Sequence, residues 1–231
     1  MRLTIFVALL MCLQPLVAAP QDSSLVPKVP LTSKTLQVQN QAEQAYEQTD
    51  YEKAFFIYRN ELAPIGDKYG QYMVGLMYLT GQGVDEDRVA ASAWYRLAAE
   101  RGIKEFVQIS DQHMNSLDAE QTAQSDHQFI QLRKEYGDLA LLMKAVKADY
   151  EILKTRTGTR LSGDSTMVTI VDPNNPAAMV SGADYFGKIE KRMEARLEFI
   201  AANTNIEIVD LDNMNMTAIE SRVDERLDEL D

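Results

Sequence analysis

The side chains able to do bond-making chemistry are few in this 231-residue chain, and their spacing gathers none of them into a reaction centre. His113 and His127 are the only histidines. They lie too far apart to face one another across a helical turn as metal ligands, so both read as surface or rim residues. The acidic run from Asp210 through Asp212 to Glu220 resembles a calcium loop only superficially. Met214 falls where an oxygen ligand is needed, no glycine follows it, and Glu220 comes one place early, so helix capping accounts for these carboxylates better. No G-x-S-x-G is present, and no serine, histidine and aspartate occur in an order that suggests a triad. Lys154, Arg156 and Arg160, interspersed with Gly158 and Gly163, form a basic loop suited to holding an anion, although no phosphate-cradle pattern accompanies them. Nothing singles out two of the 35 acidic residues as a hydrolytic pair. The expectation is a chain without cofactor, metal or catalytic residues. Its rival is a secreted enzyme or enzyme regulator acting on cell-wall glycan or peptide, with its site where the basic loop meets the strands that follow.

Charge narrows the choice of partner. A formal net charge of -12 at pH 7 repels phosphate backbones and anionic lipid, so nucleic acid is not expected to bind. Any site on this chain, for contact or for chemistry, needs a rigid frame of packed elements to hold it.

The elements able to build such a frame are clearest between Gly66 and Gly102. Tyr72, Val74, Met77 and Tyr78 recur at three- and four-residue steps and predict one amphipathic helix. Gly75 lies within that stripe, where a glycine costs about 1 kcal/mol relative to alanine, so another backbone is expected to pass too close for a methyl group. Gly81 and Gly83 supply positive φ to end the helix. Asp85 or Asp87 caps the next helix, which presents Val89, Ala91, Trp94, Tyr95 and Ala98 on one face.

The whole run resembles one Sel-one-like repeat, a branch of the tetratricopeptide superfamily. Its G-D-x-x-x-Q-Y-x-x-G-x-x-Y-x-x-G-x-G-V-x-x-D…A-x-x-W-Y-x-x-A-A-x-x-G pattern is met at Gly66, Asp67, Gln71, Tyr72, Gly75, Tyr78, Gly81, Gly83, Val84, Asp87, Ala91, Trp94, Tyr95, Ala98, Ala99 and Gly102. Gly70 departs from the family's usual alanine and is expected to loosen the first helix. The resemblance covers about a sixth of the chain. It implies a mainly α fold, a right-handed stack of helix pairs (an α-solenoid) used for protein–protein contact. By the same resemblance, Tyr46, Tyr69, Tyr72 and Leu76 map to first-helix positions that line the concave surface and would bind protein.

The flanks extend the pattern. Residues 1–19, with Arg2, an apolar run from Leu3 to Leu13 and small residues at Ala18 and Ala19, read as a secretory signal cleaved near Ala18 or Ala19. Cys12, the only cysteine, lies in that segment beside Met11, where a lipidation motif wants a small residue. The processed chain would therefore have no thiol and no disulfide, would be one unit more negative, and would be periplasmic or secreted. Residues 20–35, with three prolines, read as a linker. Asp50 to Arg59 aligns with Asp87 to Arg96 at an offset of 37 residues, which predicts a preceding helix pair. After Gly102 a degenerate third pair is expected, with Asp118 and Gln121 forming a capping box and Ala123, Phe129, Ile130 and Leu132 facing inward.

The repeat domain thus spans 36–136, and a long helix over 137–155 packs against it. Residues 156–231 are expected to form a small α/β extension: a strand from Met167, a helix from Asp184 to Ala202, a strand from Ile206 and a last helix from Thr217. The strands could make a parallel βαβ unit or a two-stranded addition to the helical end, and the last helix could support self-association.

Overall fold

The computed structural model describes residues 32–156, 169–172, 175–204 and 215–229. The signal, most of the linker, the basic loop beyond residue 156 and the strand expected from Ile206 lie outside these. The fold is mainly helical with one small two-stranded sheet. Helix α1 (Ser33–Glu47) begins a few residues earlier than the periodicity suggested, because the Thr32 hydroxyl accepts the Thr35 amide and caps the first turn. It packs on α2 (Tyr51–Ile57), which runs on through a π-helical turn at Tyr58–Leu62 and a 3-10 turn at Ala63–Ile65 before Gly66 stops it with φ of 75°.

Asp67 caps α3 (Lys68–Thr80) by accepting from the Gly70 amide, and Asp87 caps α4 (Arg88–Ala99) by accepting from the Val89 and Ala90 amides. Asp87, not Asp85, is the cap. Gly81 and Gly83 both take positive φ in the connection. A β-carbon at Gly83 would lie 2.2 Å from the Tyr51 carbonyl oxygen, so the turn is pressed onto the preceding pair.

Gly75 is kept small chiefly by a ring and not by the backbone expected: an added β-carbon would meet the Tyr95 ring at 2.8 Å, where α3 and α4 cross, with the Ala91 carbonyl oxygen next at 3.2 Å. Gly70 does not loosen its helix as expected. A β-carbon there would lie 2.7 Å from the Leu62 β-carbon, so the smaller residue lets the π-helical turn seat against α3.

Helix α5 (Lys104–Met114) packs on α4, and α6 (Ala119–Tyr136) follows behind the expected capping box, with both reciprocal bonds of Asp118 and Gln121 formed. Ala123 is exposed, contrary to expectation, and Ser125 takes the buried place on that turn. The first core runs from Ala42 to Tyr136 and is built on Tyr58, Leu62, Val74, Met77, Trp94 and Leu97. Trp94 is 2% exposed and stacks on Tyr136, while the Arg59 guanidinium lies 5.6 Å from the Trp94 ring centroid.

A second core lies beyond Gly137. Helix α7 (Asp138–Arg156) contributes Leu142, Met143 and Val146, α8 (Gly182–Thr204) contributes Met193, Leu197 and Ile200, and α9 (Met216–Asp228) contributes Ile219, Val223 and Leu227. Arg192 and Arg196 of α8 have no glutamate three or four residues away on their own helix. Both instead reach Asp149 of α7, a carboxylate only 2% exposed. A buried carboxylate attracts cations more strongly than a solvated one.

Strand β1 (Thr169–Asp172) pairs antiparallel with β2 (Asn175–Ser181), with Ile170 opposite Val180 and Val171 opposite Met179. The sequence did not mark β2 as a strand, and the strand expected from Ile206, on which the parallel βαβ alternative turns, lies outside the described residues. The chain doubles back before α8 begins, so the neighbour in sequence reaches β1 first. Val171 and Met179, cross-strand partners, are both exposed.

The two cores are joined chiefly by ions. Lys68, 4% exposed, donates to the Leu97 carbonyl at 3.0 Å and to Glu100 at 2.8 Å, and pairs with Asp138 at 3.2 Å. Arg101 holds the same Asp138 through two hydrogen bonds and also donates to the Gly66 carbonyl. At the other end of the junction Arg133 of α6 donates to the carbonyls of Arg226 and Glu229 at the end of α9.

Candidate functional site

Helices α1 and α3 run parallel. Gln39, in the middle of α1, donates to Asp67 at the start of α3, and the Tyr46 hydroxyl, near the end of α1, donates to Gln82 just past α3 at 2.8 Å. Gln39, Glu43 and Tyr46 are spaced four and three residues apart, so they share one face of α1, the face these two bonds turn toward α3. Tyr69, Tyr72 and Leu76 recur at the same steps on α3. The four residues expected to bind protein, Tyr46, Tyr69, Tyr72 and Leu76, are all half-buried, each packed against the first core with part of its side chain in solvent.

Behind them the rings form a connected row. Tyr58 meets Tyr69 edge-on at 6.3 Å, Tyr69 lies 6.2 Å from Tyr72, and Tyr72 lies 5.7 Å from Tyr95 and stacks at 5.3 Å on Phe106 of α5. Tyr95 in turn meets His113 edge-on at 5.5 Å. Three helices and the π-helical turn thus contribute to one connected row of rings, and such offset and edge contacts fix the rings beyond what apolar burial alone would do. Tyr58, Tyr95 and Phe106 were not among the residues expected here. Tyr58 and Tyr95 sit at matching places of the two aligned second helices, which was the available signal.

Burial pushes the Tyr69 phenol up to about 12, with Glu43 as the next cause, and pushes Tyr58 and Tyr95 upward as well. At physiological pH every one of these phenols is protonated and offers both a donor and an acceptor.

The other candidate residues are not brought to this surface. His113 is not the surface residue expected: it is 8% exposed, neither ring nitrogen has a hydrogen-bond partner, and burial followed by the nearby Arg88 lowers its pKa. His127 is exposed on α6, away from it. Lys154 pairs with Glu151 at 3.1 Å and lies over the Tyr150 ring, Arg156 is the last residue of α7, and Arg160 falls outside the described residues. Glu220, the last carboxylate of the acidic run, pairs with Lys147. Among the described residues no group of histidines, cysteines and carboxylates could hold a metal ion, and no helix is long and apolar enough to cross a membrane.

The chain carries a Sel1 repeat at residues 68–103, the helix pair α3 and α4 with the turn that follows. No curated protein and no solved structure matches the chain.

Proposed function

We propose that this protein is a non-catalytic adaptor that docks a protein or peptide partner on the tyrosine-lined face of α1 and α3. The observation that carries this reading is the set of half-buried tyrosines, Tyr46, Tyr69 and Tyr72, held on a packed base with part of each side chain in solvent. Rings already fixed by their neighbours lose little freedom when a partner arrives, and tyrosine presents apolar area and a hydrogen-bonding tip together. Sel1 repeats generally mediate protein–protein interaction, which agrees with this reading.

In the same reading the three helix pairs α1/α2, α3/α4 and α5/α6 form a short right-handed solenoid whose first helices line its concave side. The pairing of Asp50 with Asp87 across the repeat, and the parallel run of α1 and α3, support that arrangement. The apolar leader at residues 1–19 supports export to the periplasm or beyond the cell.

The test is the double substitution Tyr72→Ala with Leu76→Ala. The account expects an unchanged helical spectrum and loss of the partner from cross-linked complexes of the exported protein in its own envelope. Full partner capture by a folded double variant would exclude this face.

A further inference from the structure

Within the proposed docking face, on whose reading this inference rests, one charged group stands out. Glu43 shares the inward face of α1 with Gln39 and Tyr46, one turn from each, and both of those neighbours are engaged: Gln39 with Asp67, Tyr46 with Gln82. Glu43 is exposed and has no hydrogen-bond or ion-pair partner among the described residues. It nevertheless lies close enough to Tyr58 and Tyr69 to contribute to the rise of both phenols. A carboxylate one turn from Tyr46, with Tyr58 and Tyr69 within electrostatic reach and no cation of its own, is an incomplete ion pair. Aromatic faces and phenol oxygens favour a cation, the carboxylate supplies its counter-charge, and a chain of net charge -12 draws basic segments toward it.

We propose that this face recognises a basic peptide segment, one of whose lysine or arginine side chains seats between Glu43 and the rings of Tyr46 and Tyr69. The ammonium or guanidinium donates to the Glu43 carboxylate and to the phenol oxygens, and its aliphatic stem lies on the apolar part of the face at Tyr72 and Leu76. An anionic or neutral segment leaves Glu43 unpaired and desolvated, so selection among partners follows from the same carboxylate.

The experiment titrates the full-length protein with a fluorescent octapeptide of alternating lysine and glycine, and with a counterpart in which glutamine replaces lysine. The variants are Glu43→Gln and Asp224→Asn, the latter an exposed carboxylate on α9. The proposal expects binding of the lysine peptide alone, weakened about tenfold by Glu43→Gln and by rising salt, and unmoved by Asp224→Asn. Equal losses in the two variants, or none in either, would reduce the binding to general attraction by an acidic surface and overturn the proposal. Equal affinity for the glutamine peptide, or no binding of the lysine peptide, would overturn it as well. The adaptor reading would still stand in those cases if the Tyr72 and Leu76 double variant lost its cross-linked partner.

Discussion

At the scale of single residues, two positions carry consequences that contact chemistry makes quantitative. Gly75 faces the Tyr95 ring where α3 crosses α4, so Gly75→Ala must displace a ring that also contacts Tyr72 and His113. A destabilisation of about 1–3 kcal/mol is expected in urea denaturation, despite the better helix propensity of alanine. His113 is neutral in its pocket and its folded pKa lies below the ordinary 6.5. The unfolded chain therefore binds the extra proton first. Stability that is complete above pH 6.5 is lost as pH falls from that value toward the folded pKa. Denaturation midpoints measured from pH 7.5 to 5 should decline for the native chain, and His113→Gln should flatten the part of that slope it owns. The burial of His113 was not legible in the sequence, because nothing local shows that Tyr95, from another helix, covers it. The Asp118 capping box, and a helix start at Asp85 or Asp87, were legible because each states a local backbone need, whereas Gly75 marked a close approach without showing that a ring makes it.

At the scale of elements, the junction between the two cores depends on Lys68. Burial would raise the Asp138 carboxyl, but Lys68 and Arg101 outweigh it and hold Asp138 below the usual carboxylate range. Lys68→Met removes one of those cations from between Glu100 and Asp138, at an expected cost of about 3 kcal/mol. Amide hydrogen exchange should locate the loss at the start of α7, with the interior of α3 and α4 largely unaffected. The same reasoning applies to Asp149, which both Arg192 and Arg196 approach. Asp149→Ala leaves two guanidiniums facing each other at the α7/α8 contact and should lower thermal stability more than Lys154→Ala, whose pair with Glu151 is exposed.

Both ion clusters join residues far apart in sequence, so periodicity could not reveal them. Helix boundaries were readable, because caps and stripes are local. The hairpin was readable only in its first strand: Val171 belongs to a β-branched run, while Asn175 to Ser181 opens with the proline-containing signature of a turn.

At the scale of the whole molecule, the organisation is a division of labour. The first core fixes an aromatic face on α1, α3, α4 and α5, and the second core, with its hairpin, is tied to the back of it through α6 and α7. On the proposed reading this aromatic face, and no other, meets the partner. That reading is tested most directly by placing a photo-reactive phenylalanine analogue at Tyr72, and in a parallel preparation at Gln124 on α6, then irradiating the protein in its own compartment. The account predicts a discrete protein adduct from position 72 and none from position 124. Adducts of equal yield from both positions, or from position 124 alone, would contradict it.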